Sequence, residues 1–143
     1  MKILAISFLF LLFLGSCKSN EETIDPTGIV GKWQTTGITQ SMNQDGSWGE
    51  WHINPTFAAV TPSIWQFASN GNFLIDGKPG GDCCFAGNKY TVSDDKKITF
   101  TELKPICPEV YCVRCSDWDY GKAGNDTLIL RQCATRNKLV RVK

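Results

Sequence analysis

Ser63-Ile64-Trp65-Gln66-Phe67-Ala68-Ser69-Asn70-Gly71-Asn72-Phe73-Leu74-Ile75-Asp76 is the stretch from which the fold is read. Two short runs of β-branched and aromatic residues flank Asn70-Gly71, a pair suited to a type I′ turn, so the stretch predicts a β-hairpin of strands 63–68 and 72–76. The same cadence recurs in both directions about every ten residues, with no run of helical apolar spacing from Gly31 onward. Strands are expected at 32–36, 48–53, 63–68, 72–76, 89–92, 97–102, 110–115, 126–131 and 138–142. Ser93-Asp94-Asp95-Lys96 is a second turn, and Thr135-Arg136-Asn137 is expected to close the last hairpin. Short connections between consecutive strands favour an up-and-down antiparallel β-barrel of eight to ten strands, because closure removes exposed sheet edges. A closed antiparallel meander needs an even strand number, so nine is one too many or one too few. The suspect lies between Gly37 and Pro62, where Gly, Asn, Ser and Pro break the pattern.

Upstream of the barrel the chain changes character. Met1-Lys2 is a short basic start, Ile3 to Leu14 is almost wholly apolar, and Gly15-Ser16-Cys17 follows. A basic n-region, an apolar run too short to span a bilayer and small residues before a cut site describe a secretory signal peptide over 1–16. Leu14-Gly15-Ser16-Cys17 resembles the lipobox of bacterial lipoproteins. The resemblance implies cleavage before Cys17, a diacylglyceryl group on its thiol and acylation of its new amine. Residues 17–27, polar and aperiodic, then read as a lipidated cysteine and flexible tether, with 28–143 as the barrel domain. Lys18 in place of an aspartate favours the outer membrane of a bacterial envelope.

Of 143 residues, 42% are hydrophobic and 20% charged, enough apolar surface for one folded domain. Removal of 1–16 takes only Lys2 among the charged side chains, which leaves a net charge of zero and no electrostatic footprint for nucleic acid. With Cys17 set aside, Cys83, Cys84, Cys107, Cys112, Cys115 and Cys133 form an even set. In an exported chain the default is three disulfides. The alternatives, zinc or a redox motif at Cys112-Val113-Arg114-Cys115, would want a second such pair or a helix start. Vicinal Cys83 and Cys84 are expected to take different partners. In a meander the loops at 77–88, 103–109 and 132–137 share one end. The bridges are expected to stitch that end, with Cys115 the one out of place.

Gly31-Lys32-Trp33, with Leu139-Val140-Arg141-Val142 at the other terminus, resembles the G-x-W opening and closing arginine of lipocalins. That resemblance implies a barrel plugged at one end by Trp33, with Arg141 packed across it and Arg131 as the second choice. It also implies a small apolar or amphipathic ligand held without catalysis.

Catalytic signatures are missing: His52 is the single histidine, no cofactor or metal motif stands out, and the expectation is a non-enzyme. The stretch from Asp117 to Asp126, read as a late loop, scatters oxygen ligands but lacks the Gly and Glu of an EF-hand. Trp48, Trp51, Trp65, Phe67 and Phe73 cluster in the first half and are the candidate ligand-binding residues, or else simply the filling of a small barrel. Arg131, Arg136, Lys138, Arg141 and Lys143 make the terminal hairpin basic. The sequence thus carries two readings: a ligand-binding barrel, or an interaction module whose loops or basic hairpin dock an envelope protein or glycan. Either is expected to be a monomer anchored to the membrane through Cys17.

Overall fold

A computed structural model describes residues 25, 27–84, 86–115 and 117–143. The signal peptide, Cys17 and most of the tether lie outside the described residues. The rest is an all-β domain built on one antiparallel sheet. Its strands are β1 (Gly31–Ser41), β2 (His52–Ile53), β3 (Ile64–Phe67), β4 (Phe73–Ile75), β5 (Lys78–Pro79), β6 (Lys89–Val92), β7 (Lys97–Thr101), β8 (Asp117–Lys122), β9 (Thr127–Gln132) and β10 (Thr135–Arg141). The pairing order is β5-β4-β3-β1-β10-β9-β8-β7-β6, with β2 beside β1. Apart from the two-residue β2 and β5, the strands pair in chain order, an up-and-down meander with an even number of full strands. The first and last meet antiparallel, with Trp33 opposite Arg141. The seam between the two ends of the sheet is spanned at the bridge Asn72↔Lys89, where Phe73 N–H donates to Asn88 O (2.8 Å) and Tyr90 N–H to Gly71 O (2.8 Å).

Two of the expected strands are corrected. Within 48–53 only His52–Ile53 forms a strand, beside β1, while Trp48 makes a single bridge to Met42 that closes the turn 43–47. Residues 110–115 form a loop despite their Val, Tyr and Cys content, because flanking prolines and disulfides bend that chain. The strand comes later, at β8, where Trp118 and Tyr120 alternate inward with Asp117 and Asp119 outward. Of the acidic stretch 117–126 read as a loop, Asp117–Lys122 is therefore barrel wall and 123–126 alone is a turn.

The turns also differ in detail. Around Asn70-Gly71, Gly71 N–H donates to Ala68 O and Ala68 N–H to Asn72 O (both 2.9 Å), with φ of 82° at Gly71 alone. That is a three-residue loop closed by a glycine in the left-handed region, rather than a type I′ turn. The last hairpin turns at Cys133-Ala134, since Thr135 already pairs with Gln132.

The interior is filled. Ile29, Trp33, Phe67, Phe73, Ile98, Leu128, Leu130 and Leu139 are fully inaccessible, and Trp118 is 1% exposed. Phe100 stacks edge-on against Trp118 with centroids 4.5 Å apart, and Phe67 meets Tyr90 at 5.1 Å. Burying one such ring contributes on the order of 1.5–3 kcal/mol, so this cluster dominates the stability of a small barrel.

Candidate functional site

The two ends of the barrel are unlike. At one end the connections are short (68–72, 93–96 and 123–126), and the N-terminal strap 25–30 crosses the opening. Asp25 organises the strap: its carboxylate accepts from Thr27 Oγ1 (2.5 Å), Thr27 N–H (3.0 Å) and Val30 N–H (2.7 Å). Burial pushes its pKa up, but these hydrogen bonds outweigh burial and hold the carboxyl below its ordinary value. Beneath the strap Trp33 Nε1–H donates to Ile29 O (2.7 Å), and the Arg141 guanidinium lies 4.2 Å from the Trp33 ring centre. Arg141 also donates to Val30 O and Gly28 O, each at 3.2 Å. Gly31 has φ of 141°, and a Cβ there would lie 2.6 Å from Arg141 Nη1. Tyr90 donates to Ala68 O (2.9 Å), and burial, with the Asp25 charge second, pushes its phenol up to about 12. The structure thus brings Gly31, Trp33 and Arg141 together. Arg131 lies elsewhere, on the outer wall.

At the other end three connections are long, 42–63, 76–88 and 102–116, and the fourth is the tight turn at Cys133-Ala134. Cys83–Cys107 and Cys84–Cys112 tie the second long loop to the third, and Cys115–Cys133 ties the third to the turn, with Cα separations of 5.4, 5.5 and 5.7 Å. The vicinal cysteines take different partners. Cys115 is no longer out of place, because the strand begins after it. Between two bridged residues stands the arch Cys107-Pro108-Glu109-Val110-Tyr111-Cys112, whose ends are clamped to adjacent positions of the facing loop. Arg114 braces it by donating to Cys83 O (3.2 Å) and to Lys104 O. Ile106, Val110 and Val113 are 58%, 50% and 79% exposed, and Tyr111 projects fully into solvent.

Three hollows are lined in part by Gln132, and one of them borders the arch. One of about 160 Å³ is floored by Trp65, Phe73, Ile75 and Trp118, with Asp82 at its rim. A second, about 130 Å³, lies where Phe57 covers Gly37. The third, about 470 Å³, is bordered by Tyr111, Val113 and the Cys115–Cys133 bridge. Trp118 Nε1 is buried with no hydrogen-bond partner.

The five aromatic candidates do not form one site. Phe67 and Phe73 are core, and Trp65 joins them at the mouth, 5.6 Å from Trp118. Trp48 and Trp51 sit outside the barrel, under cations of β10: Arg136 lies 3.9 Å from the Trp48 ring centre and Lys138 lies 4.2 Å from that of Trp51. The 42–63 excursion carries both tryptophans away from the interior. Sequence reading missed Trp118 and Gln132. The alternation Asp117-Trp118-Asp119-Tyr120 was the available signal for the first.

His52 is exposed on β2, within 3.3 Å of Thr39 Oγ1 and of Glu50 O, with no carboxylate in that set. Among the described residues no group of three His, Cys, Asp or Glu side chains is placed to hold a metal ion. The chain matches no protein-family model, no curated protein and no solved structure.

Proposed function

We propose that this chain is a non-catalytic interaction module, tethered by a lipidated Cys17 to a bacterial envelope membrane, that docks a protein partner on its disulfide-stapled mouth. The observation that carries the reading is the arch 107–112 beside one hollow of the mouth: a fully exposed tyrosine and neighbouring valines held rigid over a filled barrel. A backbone already clamped by two bridges loses less entropy on binding than a free loop, and tyrosine is prominent among residues that dominate interface energetics. The hollow floored by Trp65 and Trp118 is of a size to receive one anchoring ring from the partner: about 150 Å³ of apolar cavity accommodates a benzene-sized group.

The test places a photo-crosslinking residue at position 111 of the full chain in its own bacterium, with position 94 at the opposite end as control. A discrete protein adduct at 111 alone, lost in Val113→Asp, is the expected result. No adduct at 111, or the same adducts at both positions, overturns the reading.

A second reading, a barrel that holds a small apolar or amphipathic ligand, is favoured by one observation, the unpartnered Trp118 Nε1 against the mouth hollow. The hollow falls below the roughly 300–1,000 Å³ typical of ligand sites, so its occupant is a single-ring molecule with one acceptor rather than a lipid. Native mass spectrometry of the purified chain separates the two. A small mass lost on denaturation supports the ligand; a clean apo mass removes it.

A further inference from the structure

The outer wall of the barrel carries a feature that neither the mouth nor the core uses. Asp119 on β8, Arg131 on β9 and Arg136 on β10 stand in one row across three paired strands. Arg131 Nη1 lies 3.3 Å from Asp119 Oδ2. Arg136 stacks on Trp48 at 3.9 Å, and Arg131 approaches the same ring at 5.7 Å, so one indole holds two guanidiniums side by side. No carboxylate pairs with Arg136 among the described residues. Stacking on Trp48 leaves the in-plane N–H donors of Arg136 free, the geometry that takes a carboxylate, sulfate or phosphate in bidentate fashion, whereas Arg131 already directs Nη1 to Asp119 and Nε to Cys133 O (3.4 Å).

Next to this row the wall opens into a groove of about 320 Å³, floored by Gly121 and Ile129 and ended by Lys122. The groove exists because Gly121 presents no side chain: a Cβ built there meets nothing within 4 Å. Arg131 and Arg136 against the one carboxylate of Asp119 leave it positive, while Lys122 Nζ is turned to the strap beside Gly28. Its size falls at the small end of ligand clefts, and it is open to water along its length. A ligand that fits must bring an oxyanion for Arg136, a flat C–H face for Ile129 and hydroxyls that stay hydrated at the open side.

We propose that this groove is a binding site for an acidic glycan, a sugar unit bearing a carboxylate or sulfate, with its oxyanion on Arg136 and its ring over Gly121 and Ile129. The tryptophan is a positioning residue, since it presents the Arg136 guanidinium and leaves the ligand to it. The site stands apart from the mouth, so it holds or fails independently of the protein partner proposed there. A membrane surface is the poorer occupant, because the cations border a concave groove instead of a convex face.

The test is titration calorimetry on the full chain in a nonionic detergent, with polygalacturonate, dextran sulfate and neutral dextran as probes. Vesicles containing phosphatidylglycerol form a separate arm. The expected result is binding of at least one acidic polymer and none of dextran, weakened about tenfold by Arg136→Gln, the scale of losing a charge-assisted hydrogen-bonding pair. Gly121→Leu, at a position where a Cβ meets nothing, puts apolar bulk into the groove without adding or removing charge, and is expected to weaken the same probe about as much. Circular dichroism of both variants checks that the barrel is intact, and should Gly121→Leu not fold, Arg136→Gln still decides. Acidic-polymer binding unchanged by Arg136→Gln overturns the proposal. So does equal binding of neutral dextran, or binding to the anionic vesicles alone.

Discussion

Arg141 shows how a single residue joins the two ends of the chain. Its guanidinium covers Trp33 and satisfies the carbonyls of Gly28 and Val30, and Gly31 is the position that makes room for it. Gly31→Ala therefore meets both a left-handed backbone and a contact with Arg141, and is expected to lower stability by roughly 1–3 kcal/mol in denaturant unfolding. Arg141→Met is expected to cost a similar amount, by leaving two part-buried carbonyls and one indole face without their partner. Tyr90 gives a pH prediction. Its phenol titrates at about 12 in the fold against 10.0 as reference, so the folded state keeps a proton that the unfolded chain gives up. This contribution is full below pH 10 and erodes as the pH rises toward 12. Tyr90→Phe is expected to flatten the fall of melting temperature across that range while leaving neutral-pH stability within about 1.5 kcal/mol of wild type, the net worth of its one hydrogen bond. An equally steep alkaline fall in the variant would assign the titration to another group. The Trp33–Arg141 pair was legible only through the resemblance of Gly31-Lys32-Trp33 and the terminal arginine to the lipocalin opening and closing residues. Trp48 and Trp51 were not: they lie on an excursion with no periodicity, and clustering in sequence does not say which side of a wall a side chain faces.

Hairpins were the legible elements. The turns at Asn70-Gly71 and 93–96 were found, with errors in turn geometry, because the left-handed position fell one residue later than a two-residue loop would place it; the turns at Asp76-Gly77 and 123–126 were missed, since the strands beside them were read as loop. The 102–116 loop deceived for a physical reason. Val110-Tyr111-Cys112-Val113 has strand-forming residues, yet the two disulfides at Cys107 and Cys112 pull the chain into an arch that no neighbouring strand can pair. If the bridges rather than packing define the arch, loosening them exposes it while the barrel persists. The double variant Cys84→Ser/Cys112→Ser is expected to become sensitive to limited proteolysis between 103 and 113 and to lose roughly 2–4 kcal/mol of stability. Its near-ultraviolet circular dichroism, dominated by the buried rings, stays native. A cut elsewhere first, or loss of the near-ultraviolet signal at neutral pH, would show that the arch supports the core.

The placement of short turns at one end and long, bridged loops at the other gives the whole molecule a direction. The described chain enters at the short-turn end, where Asp25 fastens the strap, and Cys17 precedes it by only a few residues. A tether of that length reaches at most ~3.5 Å per residue, about 30 Å in all. If Cys17 carries lipid, the barrel therefore stands on its closed end, and the mouth with Tyr111 points away from the bilayer. This couples the anchoring proposal to the docking proposal, since a mouth turned toward the membrane could not meet a partner. Two measurements test the couple. Cys17→Ser is expected to move the chain from the membrane to the soluble fraction, and a variant that stays with the membrane would leave the anchor without support. In vesicles reconstituted with the lipidated protein, a fluorophore at position 94 is expected to be quenched by a headgroup-level quencher more than one at position 111. Equal or reversed quenching would mean that the tether lets the barrel lie on its side, with the outer groove and not the mouth as the surface presented to the envelope.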